Sequence, residues 1–298
     1  MDRKFNLSCC SNVDLPYSYM QGRDIPVYFN TYAIGETEYV DDMQRTPGSL
    51  DSFYATVAAG AMPHTSQINE AEFVEYFEGL LATEGDWLHI TFSSGLSNTA
   101  ANAFRAAEAV MESHPGRRIV VVDSLAASSG FGMLVDYAAD MRDAGKSLDE
   151  VAAWLNENRT KLHHQFYCSD LTHFRRSGRV TGLSATLGTI LGICPIMRVN
   201  AEGGLSAYDK VRGKKKAVSE TVKVMVEHAQ NGTDYDGKCF ICHSCCPEEA
   251  ELMRASIEAK FPKLKDQIRI CRIGCVIGSH CGPSTVALFF MGDERPKG

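Results

Sequence analysis

The sequence predicts an α/β protein of two α/β domains. The first has a parallel sheet flanked by helices (residues 1–162), the second a mixed sheet with helices (163–298). Three observations lead there. The 298 residues suffice for two domains at the usual ~100–200 residues each. From Trp87 to Arg159, short apolar runs alternate with helix-period segments across small-residue turns, as in a parallel sheet with helices on its faces. Near Lys161 the composition and pattern change.

Asp14-Leu15-Pro16 reads as a loop entering a short helix, with Pro in its first turn. Ile25–Phe29 is a β-rich run, and Tyr32–Tyr39 a turn and strand about Gly35. Leu50–Gly60 is a short helix. Phe73, Val74, Phe77, Leu80 and Leu81 fall at helical spacing over Glu70–Thr83, with Asn69 or Ser66 as cap. Trp87–Phe92 is a strand, followed across Ser93-Ser94-Gly95 by a helix to Ser113. Arg118–Asp123 (RIVVVD) reads as a buried parallel strand. A second small-residue turn, Ser124–Gly132, leads into a helix to Ala144, and Leu148–Arg159 forms another.

In the second half, His163–Cys168 is a strand and Arg175–Arg179 a basic turn. Leu183–Leu191 reads as an apolar helix. Ile193–Val199 is a strand whose Pro195 belongs at an edge or a strand start. Glu202-Gly203-Gly204 is a hairpin turn. Ala217–Ala229 is a helix, Cys239–Cys242 a strand and Pro247–Phe261 a helix with an acidic first turn. Ile268–Arg272 is a strand, Gly274–Ser284 a glycine-rich segment and Val286–Met291 the last strand.

Ligands of open α/β sheets sit beyond the carboxyl ends of the strands, and both small-residue turns lie there. Free N–H groups at a helix start favour anions, so Ser94 and Gly95 are candidates to hold a carboxylate or phosphate. The same residues also serve as ordinary helix caps. The net charge of −7 argues against a general nucleic-acid binder. No run reaches the ~18 apolar residues of a membrane span, and the first residues lack the apolar core of a signal peptide; a cytoplasmic protein is expected. Walker A, GxSxG and HExxH motifs are missing from the sequence, which suits a carrier better than a catalyst.

Eleven cysteines include the cluster Cys239, Cys242, Cys245 and Cys246 beside His243. It has the look of a metal or redox site. Positions three apart on a strand face opposite ways, which favours buried small hydrophobes instead, and no metal is expected. Lys210, Arg212, Lys214, Lys215 and Lys216 form a basic run in an acidic protein, and Arg175, Arg176 and Arg179 a second. Such runs are solvated faces or steer phosphate-bearing partners.

Four segments, in this order and spacing, resemble one family. They are TSQ at Thr65–Gln67 with SSGLSNT at Ser93–Thr99, DSLAASSGFG at Asp123–Gly132, RRSGRVTGLSATLGTILGICPIMRV at Arg175–Val199, and IGSHCGPSTVALFF at Ile277–Phe290. Together they resemble the DegV family of bacterial fatty-acid-binding proteins, over nearly the whole chain from Asp14 to Phe290. The resemblance implies one long-chain fatty acid in an apolar tunnel between the domains, bound as ligand, with no cofactor. Its carboxylate would be held by Thr65, Ser94 and N–H groups of the Gly95 turn, with His280 close to the head group. Some members are acyl-carrying subunits of a fatty acid kinase. An ATP-dependent kinase subunit is therefore the implied partner, feeding phospholipid metabolism, with Arg212 and the Arg175-Arg176 pair docking it or steering phosphate. A monomer with transient membrane-surface contact fits that role. The family's opening Asp-Ser-x-x-Asp-Leu pattern is altered: Cys10-Ser11 stands before the retained Asp14-Leu15, and Ser97-Asn98 replaces Ser-Gly. Two other readings stay open, a metal- or thiol-dependent enzyme using Cys239–Cys246 and an enzyme acting on a phosphorylated metabolite.

Overall fold

The computed structural model describes residues 3–182 and 192–297. The helix expected over Leu183–Leu191 lies outside them. In chain order the strands and helices are β1 (Asn6–Cys10), α1 (Tyr17–Gly22), β2 (Val27–Tyr28), β3 (Thr31–Ile34), β4 (Thr37–Val40), α2 (Ser49–Ala58), β5 (His64–Thr65), α3 (Glu70–Leu81), β6 (Trp87–Thr91), α4 (Thr99–Ser113), β7 (Ile119–Asp123), α5 (Ser128–Asp143) and α6 (Leu148–Asn158). There follow β8 (Leu162–Cys168), α7 (Thr172–Ser177), β9 (Val180–Thr181), β10 (Ile193–Val199), β11 (Leu205–Arg212), α8 (Lys214–His228), β12 (Cys239–His243), α9 (Pro247–Glu258), β13 (Arg269–Arg272), α10 (Cys275–Cys281) and β14 (Thr285–Met291).

The first half builds a four-stranded parallel sheet in the order β2-β1-β6-β7. The second builds a seven-stranded mixed sheet, β13-β12-β14-β8-β10-β11-β9. A small antiparallel sheet, β4-β3-β5, stands beside them. The fold class is the one the sequence predicts. α3 starts on a full capping box, with Asn69 accepting from Glu72 N and Glu72 returning a bond to Asn69 N, and this closes the helix start cheaply.

β5 stands where the sequence reads as the loop Ala61–Gln67, and β9 is a further short strand without a sequence signal; four other elements differ from the sequence reading, each for a local reason. β1 went unrecognised, although it is an inner strand, because Asn6, Ser8 and the cysteines lack the apolar run of a buried strand. Its interior is instead satisfied by a Ser8 Oγ to His89 Nδ1 hydrogen bond of 2.9 Å. The basic turn is the last turn of α7, closed by Gly178 in the left-handed region. α8 begins three residues before Ala217, so Lys214, Lys215 and Lys216 form its first turn. The glycine-rich segment contains α10, where Gly278 is needed: a Cβ there would sit 2.8 Å from Phe53 Cε1 and Tyr54 Oη.

Helix α5 is almost wholly buried between the two large sheets, touching β1 on one side and β8, β12 and β14 on the other. Its small residues make this possible. Gly130 lies against His164 and Phe289, and Gly132 against Val13 O and Leu15. The Ser-Ser-Gly-Phe-Gly run is therefore a packing device as well as a turn. Pro195 sits near the start of β10, before the stretch Ile196–Arg198 that pairs with β8, so its missing N–H costs no bond on that side.

Candidate functional site

A cavity of about 480 Å³ opens where the carboxyl ends of β6 and β7 meet α10 and the face of the large sheet. Its size falls within the ~300–1,000 Å³ of small-molecule sites. The apolar wall comes from Phe92 and Leu96, from Phe166, Ala287 and Phe289 on the large sheet, and from Phe174, Val276 and Ile277. The polar wall comes from Thr65, Ser66 and Gln67, from Ser97, Asn98 and Thr99, and from Asn12, Asn30, Ser128, Arg179 and His280.

At its centre, Thr65 Oγ1 lies 2.7 Å from His280 Nε2. Several contacts set this pair. Thr65 sits on β5, opposite Tyr32. Arg176 donates to Pro63 O and, at 3.1 Å, to Ser279 O, tying the chain before Thr65 to the end of α10. Two buried carboxylates hold the other end of α10. Asp14 accepts from Gly274 N at 2.9 Å and from Ser128 Oγ; Asp41 accepts from Val276 N at 3.2 Å. Burial pushes Asp14 up to about 8 and Asp41 up to about 6. His280 is pushed down to about 4, first by burial and then by the Arg179 and Arg176 charges. It is therefore a neutral imidazole at pH 7, able to donate one hydrogen bond and accept another.

The first turn of α4 faces the same space. Asn102 Nδ2 donates to Ile68 O at 2.6 Å, holding the 65–68 stretch against it. The helix is capped by Asn98 without a side-chain capping bond. Ser97 Oγ lies 2.9 Å from Thr99 Oγ1. Such a helix start, lined by hydroxyls, suits an anionic head group.

The sequence-predicted residues divide. Thr65 and His280 are brought together. Ser94 and Gly95 do not line the cavity. Ser94 is exposed, and its N–H donates to Asp123 Oδ1 at 3.2 Å. Gly95 packs against the β10–β11 hairpin, where a Cβ would lie 2.5 Å from Gly203 C, and Ser93 Oγ donates to Gly203 O at 2.8 Å. This turn joins the two large sheets; the residues of the SSGLSNT segment that line the cavity are Leu96, Ser97, Asn98 and Thr99, and Ser97 is the serine among them. Cys10 is also off the cavity wall, buried 3.9 Å from His89 Nε2.

Arg175 and Arg212 are both exposed, and neither lines the cavity. Arg212 ends β11 opposite Ile193. Beside it, Lys214 pairs with Glu249 and Lys216 with Glu220, each at 2.6 Å, so part of the basic run is neutralised. The cysteines are unpaired, and all but Cys245 are buried. Burial pushes the Cys246 thiol up to about 11 and the Cys271 and Cys281 thiols up to about 12. Among the described residues, the one group of three metal-ligating side chains whose donor atoms come within reach of a single ion contains none of these cysteines. Asn12 and Asn30 carry no signal in the sequence, whereas Arg179 belongs to the second basic run and, unlike Arg175, lines the cavity.

The family model described as an uncharacterised protein of the DegV family matches residues 10–293. A DegV domain-containing protein of Clostridium perfringens is 39% identical over 295 residues, covering 98% of this chain and 99% of that one. Among solved structures, a DegV family protein from Thermus thermophilus described by its fatty acid binding is 27% identical, with a TM-score of 0.82 over 97% of this chain and 99% of that one. A fatty acid binding DegV family protein from Streptococcus agalactiae is 26% identical, with a TM-score of 0.81 and 100% of both chains covered.

Proposed function

This chain belongs to the DegV family, and from that premise we propose that it binds one long-chain fatty acid and carries it to a partner kinase. The single observation that carries the reading is the cavity itself. Its wall of aromatic and aliphatic side chains suits an acyl chain, and it also holds the Thr65–His280 pair and the first turn of α4. In this reading the acid's carboxylate binds at Thr65 and Ser97, with His280 beside the head group. A buried carboxylate without donors would take up a proton instead. Hydrogen bonds to an ionised acceptor are about twice as strong as neutral ones, so the two hydroxyls can hold it, with the His280 imidazole donating to Thr65 Oγ1 and leaving that hydroxyl free to donate to the acid. Arg179 on the same wall adds positive charge. The buried Asn12, whose Oδ1 has no partner among the described residues, brings an amide that can turn to the ligand. The relatives from Thermus thermophilus and Streptococcus agalactiae, described by fatty acid binding, support the same ligand class.

In this reading the protein is a carrier, and an ATP-dependent kinase subunit phosphorylates the presented carboxylate. Arg212 and Arg175 lie on the surface available to such a partner, whereas Arg176 is committed to holding the site together. The register row Tyr39–Tyr32–Thr65 leads from the head group to exposed Tyr39 and Val40, an apolar edge for transient membrane contact.

Native mass spectrometry of the folded, purified protein tests the ligand. One retained mass of fatty-acid size per chain is expected; a folded protein that carries none and takes up none from added oleate would overturn the reading. The kinase role is tested separately, by adding ATP and the partner kinase. Arg212→Ala should leave the bound acid in place and slow its phosphorylation.

A further inference from the structure

Away from the cavity, three donor groups from distant parts of the chain meet. His163 lies near the start of β8, His228 at the last residue of α8, and Asp293 just after β14. His163 Nε2 is 3.1 Å from Asp293 Oδ1, and His228 Nδ1 is 3.1 Å from both carboxylate oxygens. The three donor atoms all lie within 4.8 Å of one another. We propose that His163, His228 and Asp293 bind one divalent transition-metal cation of the zinc class.

The donor set selects the ion. Two imidazoles and one carboxylate suit zinc, nickel or copper, whereas calcium and magnesium take oxygen shells. A tetrahedral ion with bonds of ~2.0–2.2 Å keeps its donors roughly 3.3–3.6 Å apart. The separations to Asp293 are slightly shorter than that, so small side-chain movements admit the ion.

The rings are held ready. His163 stacks on Phe290 with centroids 4.9 Å apart and on His228 at 5.3 Å. Gly292 permits the approach, since a Cβ there would lie 2.9 Å from His163 Cδ2. His163 is buried, but His228 and Asp293 side chains are 40% and 61% exposed, which leaves a way in for the ion and a place for water as fourth ligand. His163 Nε2 faces two acceptors, Asp293 O at 3.0 Å and Asp293 Oδ1 at 3.1 Å, so without an ion it carries the ring proton, while Nδ1 has no hydrogen-bond partner among the described residues. When the cation takes the Nε2 lone pair, the proton moves to Nδ1 and the ring remains neutral. Bound, the ion would tie β8, α8 and the chain end to one another. None of the three residues lines the fatty-acid cavity, because His163 and His164 point to opposite faces of β8.

The test is a calorimetric titration of the chelator-treated, full-length protein with zinc chloride. One equivalent should bind saturably. His228→Ala and Asp293→Asn should each weaken binding by more than about tenfold while the circular dichroism spectrum stays native. Lack of a saturable one-equivalent site, or wild-type affinity in either variant, would overturn the proposal.

Discussion

Thr65 Oγ1 and His280 Nε2 meet at 2.7 Å although 215 residues separate them. Neither is free to adjust alone, since β5 fixes one and α10 the other. With His280 Nε2–H donating to Thr65 Oγ1, the Thr65 hydroxyl is left to donate to a carboxylate, so the pair supplies one charge-assisted bond that His280 orients. Losing that bond or its orientation costs about 1.5–3 kcal/mol, so Thr65→Ala and His280→Ala are each expected to weaken fatty-acid binding by roughly 10- to 100-fold. Thr65→Ser keeps the hydroxyl and should bind nearly as well as the parent. Displacement of a fluorescent fatty acid measures all three. Equal losses in the Ser and Ala variants would mean that the hydroxyl is not the contact.

Two serines of one turn should behave differently. Ser94 is exposed and outside the cavity wall, whereas Ser97 lines it. Ser97→Ala is expected to weaken binding by roughly 10- to 100-fold, the loss of one bond to an ionised acceptor at about 1.5–3 kcal/mol, and Ser94→Ala to leave it unchanged. The same displacement assay decides between them, and the reverse pattern would place the carboxylate at Ser94.

These contrasts mark what the sequence could and could not tell. β6, α4, β7 and α5 were legible because apolar periodicity and small-residue turns agree there. Asn69 and Ser66 were both open as caps of α3, and the structure takes Asn69, with Glu72 completing the capping box. β1 was hidden because its interior is satisfied by the Ser8–His89 hydrogen bond, which leaves no apolar run to read. α10 was hidden because Gly274 and Gly278 imitate a loop, while close contacts with Asp14 and Tyr54 demand glycine. Of the residues expected at the head group, Thr65 and His280 line the cavity and Ser94 and Gly95 do not. Choosing Ser97 over Ser94 needs the direction of a turn, and the His163–His228–Asp293 meeting needs the sheet register; neither is written in local pattern.

Gly95 supports the junction of the two halves. A methyl group there would press on Gly203 C at 2.5 Å and Glu202 O at 2.6 Å, backbone atoms that cannot turn aside. Gly95→Ala is expected to destabilise the fold by about 1–3 kcal/mol, the usual cost of overpacking. Thermal unfolding should show a lower midpoint, whereas Gly116→Ala, with open space around its Cβ, would report only the strain of its positive φ. An unchanged midpoint for Gly95→Ala would show that the junction can part locally without cost.

Asp14 should make stability depend on pH above neutrality. In the unfolded chain it ionises near 3.8, whereas burial raises it to about 8 in the fold. Between these values the folded state holds a proton that the unfolded state has released. Its contribution is full below 3.8 and is lost as pH rises through about 8. His280, pushed down to about 4, acts in the opposite sense, with stability lost as pH falls from about 6.5. From pH 6.5 to 8 the Asp14 effect therefore stands clear of His280. Stability should fall there with a slope of at most about 1.4 kcal/mol per pH unit for one proton. Asp14→Asn keeps a neutral group of the same shape and should flatten this limb. Urea unfolding at pH 6.5, 7.2 and 8 in both proteins measures the slope, and an identical decline in the variant would assign it to another group.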